Sequence, residues 1–218
     1  MNRAGWTSLQ LPPLYTQPPG IVMWGGGGAA GPKVTLGTYT VKVSSGAWSQ
    51  TQTFHLGGDP RYMPLMTDAE SAEQFLLTNE VGGLIKNLYD DLAKIRDAKK
   101  QAAAISEKSP ANSPARAAAK TLTDALVGVE SELTQIQGEG GGQDALNFPG
   151  RMDNQLIALY GAVASPDRRL GTPVKERYKD LKPEADKLLA RSKAVLSKDI
   201  ATFNSVATKA GLDTIVVK

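Results

Sequence analysis

The sequence predicts an α+β chain, with a small antiparallel, immunoglobulin-like β unit forming an incomplete sandwich, followed by an up-and-down bundle of about four helices. Three observations carry this expectation. Beyond residue 66, apolar residues recur every three or four positions in four runs joined by short connections. Before it, Pro12, Pro13, Pro18, Pro19, Pro32, Pro60 and Pro64, with the glycine series Gly25 to Gly28, leave no room for a long helix. Between those breaks, two short segments alternate apolar and polar residues as strands do.

The strand segments are Thr38 to Val43, with Tyr39, Val41 and Val43 on one face, and Thr51 to Leu56, with Gln52, Phe54 and Leu56 together. Ser44, Ser45 and Gly46 supply the turn of a hairpin. Trp6 to Leu11 and Ile21 to Trp24 are further strand candidates. Gly57-Gly58-Asp59-Pro60-Arg61 ends the β part, since Pro60 holds Asp59 extended. The expected domains are therefore residues 1–61 and 62–218. Tyr62, Met63, Leu65 and Met66 make a short apolar linker that predicts docking of the two parts.

The longest periodic run extends from Thr67 to Ile105. Its stripe is Ala72, Phe75/Leu76, Leu84/Ile85, Leu88, Leu92, Ile95, Ala102 and Ile105, and Thr67 with Glu70 forms a capping box at its start. Asp90 and Asp91 belong to its solvated side. Ser113-Pro114 caps a second helix reaching Gln137, with Ala118, Leu122, Ala125/Leu126, Val129, Leu133 and Ile136 inward. After a loop at Gly138 to Gly142, Phe148-Pro149 opens a third helix with Met152, Leu156, Leu159/Tyr160 and Val163 inward. Thr172-Pro173 caps the fourth, whose stripe is Val174, Tyr178, Leu181, Ala185, Leu188/Leu189, Val195/Leu196, Phe203 and Val206, with a kink expected at Pro183.

Composition narrows the function. The 25 Lys plus Arg against 22 Asp plus Glu give a net charge of only +3 with the signs interspersed, which argues against nucleic acid as a partner. The absence of Cys removes disulfides, thiol nucleophiles and cysteine metal sites. No apolar run reaches the length of a membrane span, and Met1 to Gly20 has no export-signal pattern. His55, the single histidine, has no triad or zinc-site partner nearby and reads as a surface strand residue. Adjacent Asp90 and Asp91 diverge around a helix and make no glycosidase pair, while Glu130/Glu132 and Asp180/Glu184 read as solvated faces near lysines. No catalytic residue, metal ligand or cofactor is expected. Trp6, Trp24, Trp48, Tyr15 and Tyr39 concentrate aromatic residues in the β part, mostly as core; Trp24, Trp48 and Tyr39 are the candidates for a carbohydrate-binding surface.

Two stretches go beyond pattern. The first is Ile21-Val22-Met23-Trp24-Gly25-Gly26, Gly31-Pro32, Gly37-Thr38-Tyr39-Thr40-Val41-Lys42-Val43 and Asp59-Pro60-Arg61. The second is Asn147-Phe148-Pro149, Arg151-Met152, Asn154-Gln155-Leu156, Ala158-Leu159 and Gly161-Ala162-Val163. In this order they resemble the C-terminal β and helical region of bacterial sortilin-like, BNR-repeat, glycosyl-hydrolase-like β-propeller proteins. The resemblance implies a periplasmic or extracellular accessory module that follows a propeller. Hydrolase activity would lie in that propeller, which has no counterpart here, so no catalytic residue carries over. The match begins partway into the family's β-domain, which implies missing upstream strands, a β part less stable than the bundle, and weak self-association through it. The partners implied are a propeller domain or another protein. The alternative is a carbohydrate-binding module that takes polysaccharide on its aromatic surface.

Overall fold

In a computed structural model of the chain, residues 10–21, 30–58, 60–61, 66–137, 147–165 and 168–217 are described. Trp6, Trp24, most of the apolar linker at 62–65 and the glycine loop at 138–142 lie outside them. The described residues form an α+β structure with a two-stranded antiparallel sheet and four helical rods.

Strand β1 (Gly37–Ser45) pairs with β2 (Trp48–Leu56) from Gly37↔Leu56 at the base to Ser45↔Trp48 at the tip. Directly opposed residues share a face, so Tyr39, Val41, Val43, Trp48, Phe54 and Leu56 lie on one side as the alternation predicts. The strands run further than expected, and the turn is Gly46-Ala47 rather than Ser44 to Gly46. Gly46 takes φ 57°, with no non-glycine residue at positive φ among the described residues. That is the glycine-first pattern of a type II′ turn, whose twist suits a two-residue hairpin. His55 is exposed in β2, with Nδ1 3.5 Å from Thr38 Oγ1.

Helix α1 (Asp68–Lys108) opens on the expected capping box: the Glu70 N–H donates to Thr67 Oγ1, and the Thr67 N–H donates to the Glu70 carboxylate. It is the axis of the bundle, packed against α2 (Pro114–Leu133), α3 (Met152–Ala164) and α4 (Thr172–Ala194). A π turn (Val195–Asp199) carries α4 without a break into α5 (Ile200–Lys209). The α5 end is a Schellman closure: Gly211 at φ 68° lets the Leu212 N–H reach Ala207 O and its own N–H reach Thr208 O. The chain then returns along the bundle. Asn204 bonds both backbone groups of Ile215, and Gln101 both of Val216, so two side-chain amides hold an extended segment that seats Ile215 in the core.

Several expectations are corrected. The first turns of α1 bury Ser71, Gln74 and Thr78 while Ala72 and Leu76 are exposed, because Ser71 Oγ accepts from the Leu36 N–H and Gln74 donates to Val163 O at the end of α3. Helix α2 stops at Leu133, and Ile136 is exposed. Thr134 and Gln135 leave the helix to bond Asp153 and Pro149 O across the bundle. The third helix opens at Met152 instead of Phe148, and Gly171, not Thr172, is the cap of α4. From Ser192 onward the buried residues of the last rod are Ser192, Val195, Ile200, Phe203 and Ala207; the five-residue step from Val195 to Ile200 is the extra residue taken up by the π turn. Val206, predicted inward from an unbroken helical period, is therefore only half-buried. Helix α4 continues through Pro183, which lies on an exposed face.

Residues 10–21 and 30–36 form a strap across the bundle. Tyr15 is buried within the helical core, against Tyr89 of α1 and Tyr160 of α3 at ring-centroid distances of 5.8 and 5.7 Å. Leu14 lies over Gly82, where even a Cβ would come within 2.4 Å of its methyl. Gln10 and Lys33 form an antiparallel bridge, with the Leu11 N–H donating to Pro32 O, while the Tyr160 hydroxyl donates to Ala30 O and Lys33 to Ser165 O. The strap thus leads directly into β1 and fixes the base of the hairpin to the bundle.

Candidate functional site

The three residues singled out for ligand contact do not converge. Trp24 lies outside the described residues. Tyr39 and Trp48 share a face of the hairpin, but six residues of strand separate their rungs, about 20 Å at 3.4 Å per residue. Tyr39 is stacked on Phe54, with centroids 5.8 Å apart and planes at 22°, and its hydroxyl donates to Thr35 O at 2.7 Å. Trp48 stands near the tip at 54% exposure, beside Val43 at 52% and Val41 at 48%. Their cross-strand neighbours are Ser45, Gln50 and Gln52, so this distal half of the face is uncharged, with three exposed apolar side chains beside three polar ones.

Behind the hairpin the bundle holds polar groups that the sequence reading placed on the surface. Glu130 is 3% exposed, held by Arg96 Nε at 2.8 Å and Lys99 Nζ at 2.6 Å, and Arg96 also donates to Pro19 O of the strap. Burial works to raise the Glu130 carboxyl, but the hydrogen bonds from Lys99 and Arg96 outweigh it and leave it below the ordinary value of 4.5. Stability from a lowered carboxyl is complete above 4.5 and is lost as pH falls through its lowered folded value. Glu130→Gln should therefore cost about 1–3 kcal/mol at pH 7 in urea titrations, at the low end of breaking a buried pair because both cations can reach water. The gap between the two proteins should close below pH 4.5. An unchanged gap at low pH would show that the carboxylate is not what stabilises.

Asp153 is fully buried in the first turn of α3. It accepts from Thr134 Oγ1 at 2.6 Å and from Asn154, and the hydroxyl of buried Tyr89, which has no hydrogen-bond partner among the described residues, lies within its electrostatic reach. Desolvation raises its carboxyl above 3.8 despite the bonds from Thr134 and Asn154. The same burial pushes the Tyr160 hydroxyl up to about 12. The sign for Asp153 is the reverse of that for Glu130: its contribution is complete below 3.8 and is lost as pH rises through the raised value. Asp153→Asn keeps both contacts, because its Oδ1 can still accept from Asn154 and its Nδ2 can donate to the Thr134 hydroxyl, which can also accept. It should raise the melting temperature at pH 7 more than at pH 4, as calorimetry would show; a lower melting temperature at both would make ionised Asp153 the stabilising form.

Asp91 is the third such group, buried toward Ser192 of α4 and likewise raised by desolvation. The Ser192 hydroxyl and the Lys193 and Lys94 charges work against that rise without cancelling it. All three positions carry a signal in the spacing. Glu130 follows Leu126 by four, Asp91 follows Leu88 by three, and Asp153 precedes Leu156 by three, so each falls on an apolar stripe where a solvated residue does not belong. For Glu130 and Asp91, residue type alone led to the surface assignment. As geometry, these carboxylates join helices to one another and to the strap rather than facing each other across a cleft. Among the described residues, no group of three or more His, Asp or Glu gathers as a metal site would require.

Compared with known protein families, curated proteins and solved structures, the chain matches none. No helix is long and apolar enough to cross a membrane among the described residues.

Proposed function

We propose that the chain is a non-catalytic accessory module that docks on a larger exported protein, in the manner of the C-terminal end of the glycosyl-hydrolase-like propeller proteins it resembles, in the periplasm or outside the cell. The supporting observation is the distal hairpin face. Scattered exposed apolar residues are ordinary, but Val41, Val43 and Trp48 are contiguous, uncharged and carried on a sheet that has two strands among the described residues. A lone two-stranded hairpin is marginal in water, so covering this face stabilises the hairpin as well as the complex. In this reading the β part is one side of an immunoglobulin-like sandwich that the contact completes. The strap and the Leu36–Ser71 hydrogen bond hold the hairpin at a set place on α1, which lowers the ordering cost of docking.

The carbohydrate-binding alternative rests on Trp48, since Tyr39 is engaged through both its ring and its hydroxyl. The two readings separate in one set of experiments. Mixed with a separately produced β-propeller protein of the resembled family, the chain should sediment as a complex that Trp48→Lys abolishes with helical circular dichroism unchanged. No complex at concentrations on the order of 100 μM would overturn docking, because such affinity is already weaker than about −5.5 kcal/mol. Gel retardation by a polysaccharide that Trp48→Ala removes would transfer the face to the carbohydrate reading, and turnover of a glycoside by the pure protein would end the non-catalytic one.

A further inference from the structure

The strap and α1 enclose a cavity of about 670 Å³, a volume within the range of small-molecule sites, and among the described residues it is open to solvent. Ala93, Arg96, Lys100 and Ala103 follow one another by three or four positions, so they share one face of α1, and Pro18 and Pro19 of the strap stand over that face. The two prolines have no backbone N–H, and the Pro19 carbonyl already accepts from Arg96, so their rings supply apolar contact and no donor.

The donors come from α1. Arg96 uses Nε on Glu130 and one Nη1 hydrogen on Pro19 O, and Lys99 uses one hydrogen on Glu130. A guanidinium carries five N–H groups and an ammonium three, so both side chains keep further donors. Lys100 is exposed and makes no ion pair among the described residues. Against these three cations the cavity sets two carboxylates, Asp97 and Glu130, which leaves it one positive charge in excess. Glu130, at 3% exposure, holds Arg96 and Lys99 in place, so two long side chains are already ordered before anything binds.

We propose that this cavity binds a small organic monoacid, with its carboxylate on Lys100 and Arg96 and its apolar body along Pro18, Pro19 and Ala103. One negative charge neutralises the site, whereas a dianion such as phosphate overshoots it and meets Asp97. A bare anion of either charge leaves the prolines and alanines uncovered. The cavity shares no residue with the hairpin face, and neither reading needs the other.

Hexanoate is the probe, followed by amide chemical shifts in the full chain. It should titrate saturably, with a dissociation constant on the order of 1 mM, and should move Gly20 and the α1 amides from Ala93 to Ala103 together. Three comparisons take the ligand apart: 1-hexanol keeps the body without the charge, acetate the charge without the body, and phosphate doubles the charge. Each should bind at least about tenfold more weakly. Lys100→Gln should weaken hexanoate at least about fivefold, and Ala103→Phe, which fills the apolar end at unchanged charge, should do the same. Both positions are exposed, so neither change disturbs the core. Trp48→Lys, on the hairpin, should leave hexanoate binding unchanged, which separates this test from that of docking. No saturable binding up to about 20 mM, equal affinity for 1-hexanol or phosphate, loss through Trp48→Lys, or full binding in both Lys100→Gln and Ala103→Phe would overturn the proposal.

Discussion

Leu92→Ala is expected to destabilise the protein by about 2–5 kcal/mol, the usual range for truncating a fully buried leucine, with Leu88→Ala close behind. Leu92 has no exposed surface and Leu88 only 1%, and both sit mid-way along α1 where it packs on α2, α3 and α4. Asp90→Ala, between the two leucines in sequence, should change stability by less than about 0.5 kcal/mol, because Asp90 is exposed and paired only with Lys86 one turn away. Urea unfolding of the three variants measures this. Equal and small losses would mean that α1 is not the axis of the core.

The second large effect is expected at Gly31, and it should be local. A Cβ on Gly31 would lie 1.7 Å from Leu11 O and 2.5 Å from Pro12 O, both backbone atoms that no rotamer change can move aside. Gly31→Ala should therefore force apart the two passes of the strap and break the Leu11–Pro32 hydrogen bond. Since Tyr15 and the Arg96–Pro19 contact belong to the same strap, its release should expose Tyr15 and loosen the base of the hairpin, while the helices stay folded. Limited proteolysis should cut the variant near residues 10–21 much faster than the parent, with helical circular dichroism nearly unchanged. Identical cleavage would mean that the strap adapts and does not position the hairpin.

Much of the helical part was legible because its signals are local. A capping box, a serine before proline and a 3.6-residue apolar period act within one or two turns, so Thr67, Ser113 and the Leu88/Leu92 stripe appear where expected. Misplaced boundaries have tertiary causes: Thr134 leaves α2 for Asp153, and the π turn shifts Phe203 and Ala207 inward. The polar residues of the core were missed for a similar reason. A carboxylate on an apolar stripe is costly until a cation or hydroxyl from another helix meets it, and that partner lies 31 to 34 residues away for Glu130 and 19 for Asp153.

By itself, then, the sequence determined the α+β division, the capped start of the longest helix and the face on which Tyr39, Val41, Val43, Phe54 and Leu56 stand together, since strand alternation and helix period are properties of neighbouring residues. Tertiary structure alone decided which of those apolar faces is covered. The stripe of α1 meets three helices and the strap, whereas the distal hairpin meets none, and its periodicity is the same in either case. Burial depends on what the rest of the chain brings to a face, and Val41, Val43 and Trp48 stay about half exposed among the described residues, which is why this face carries the proposed function.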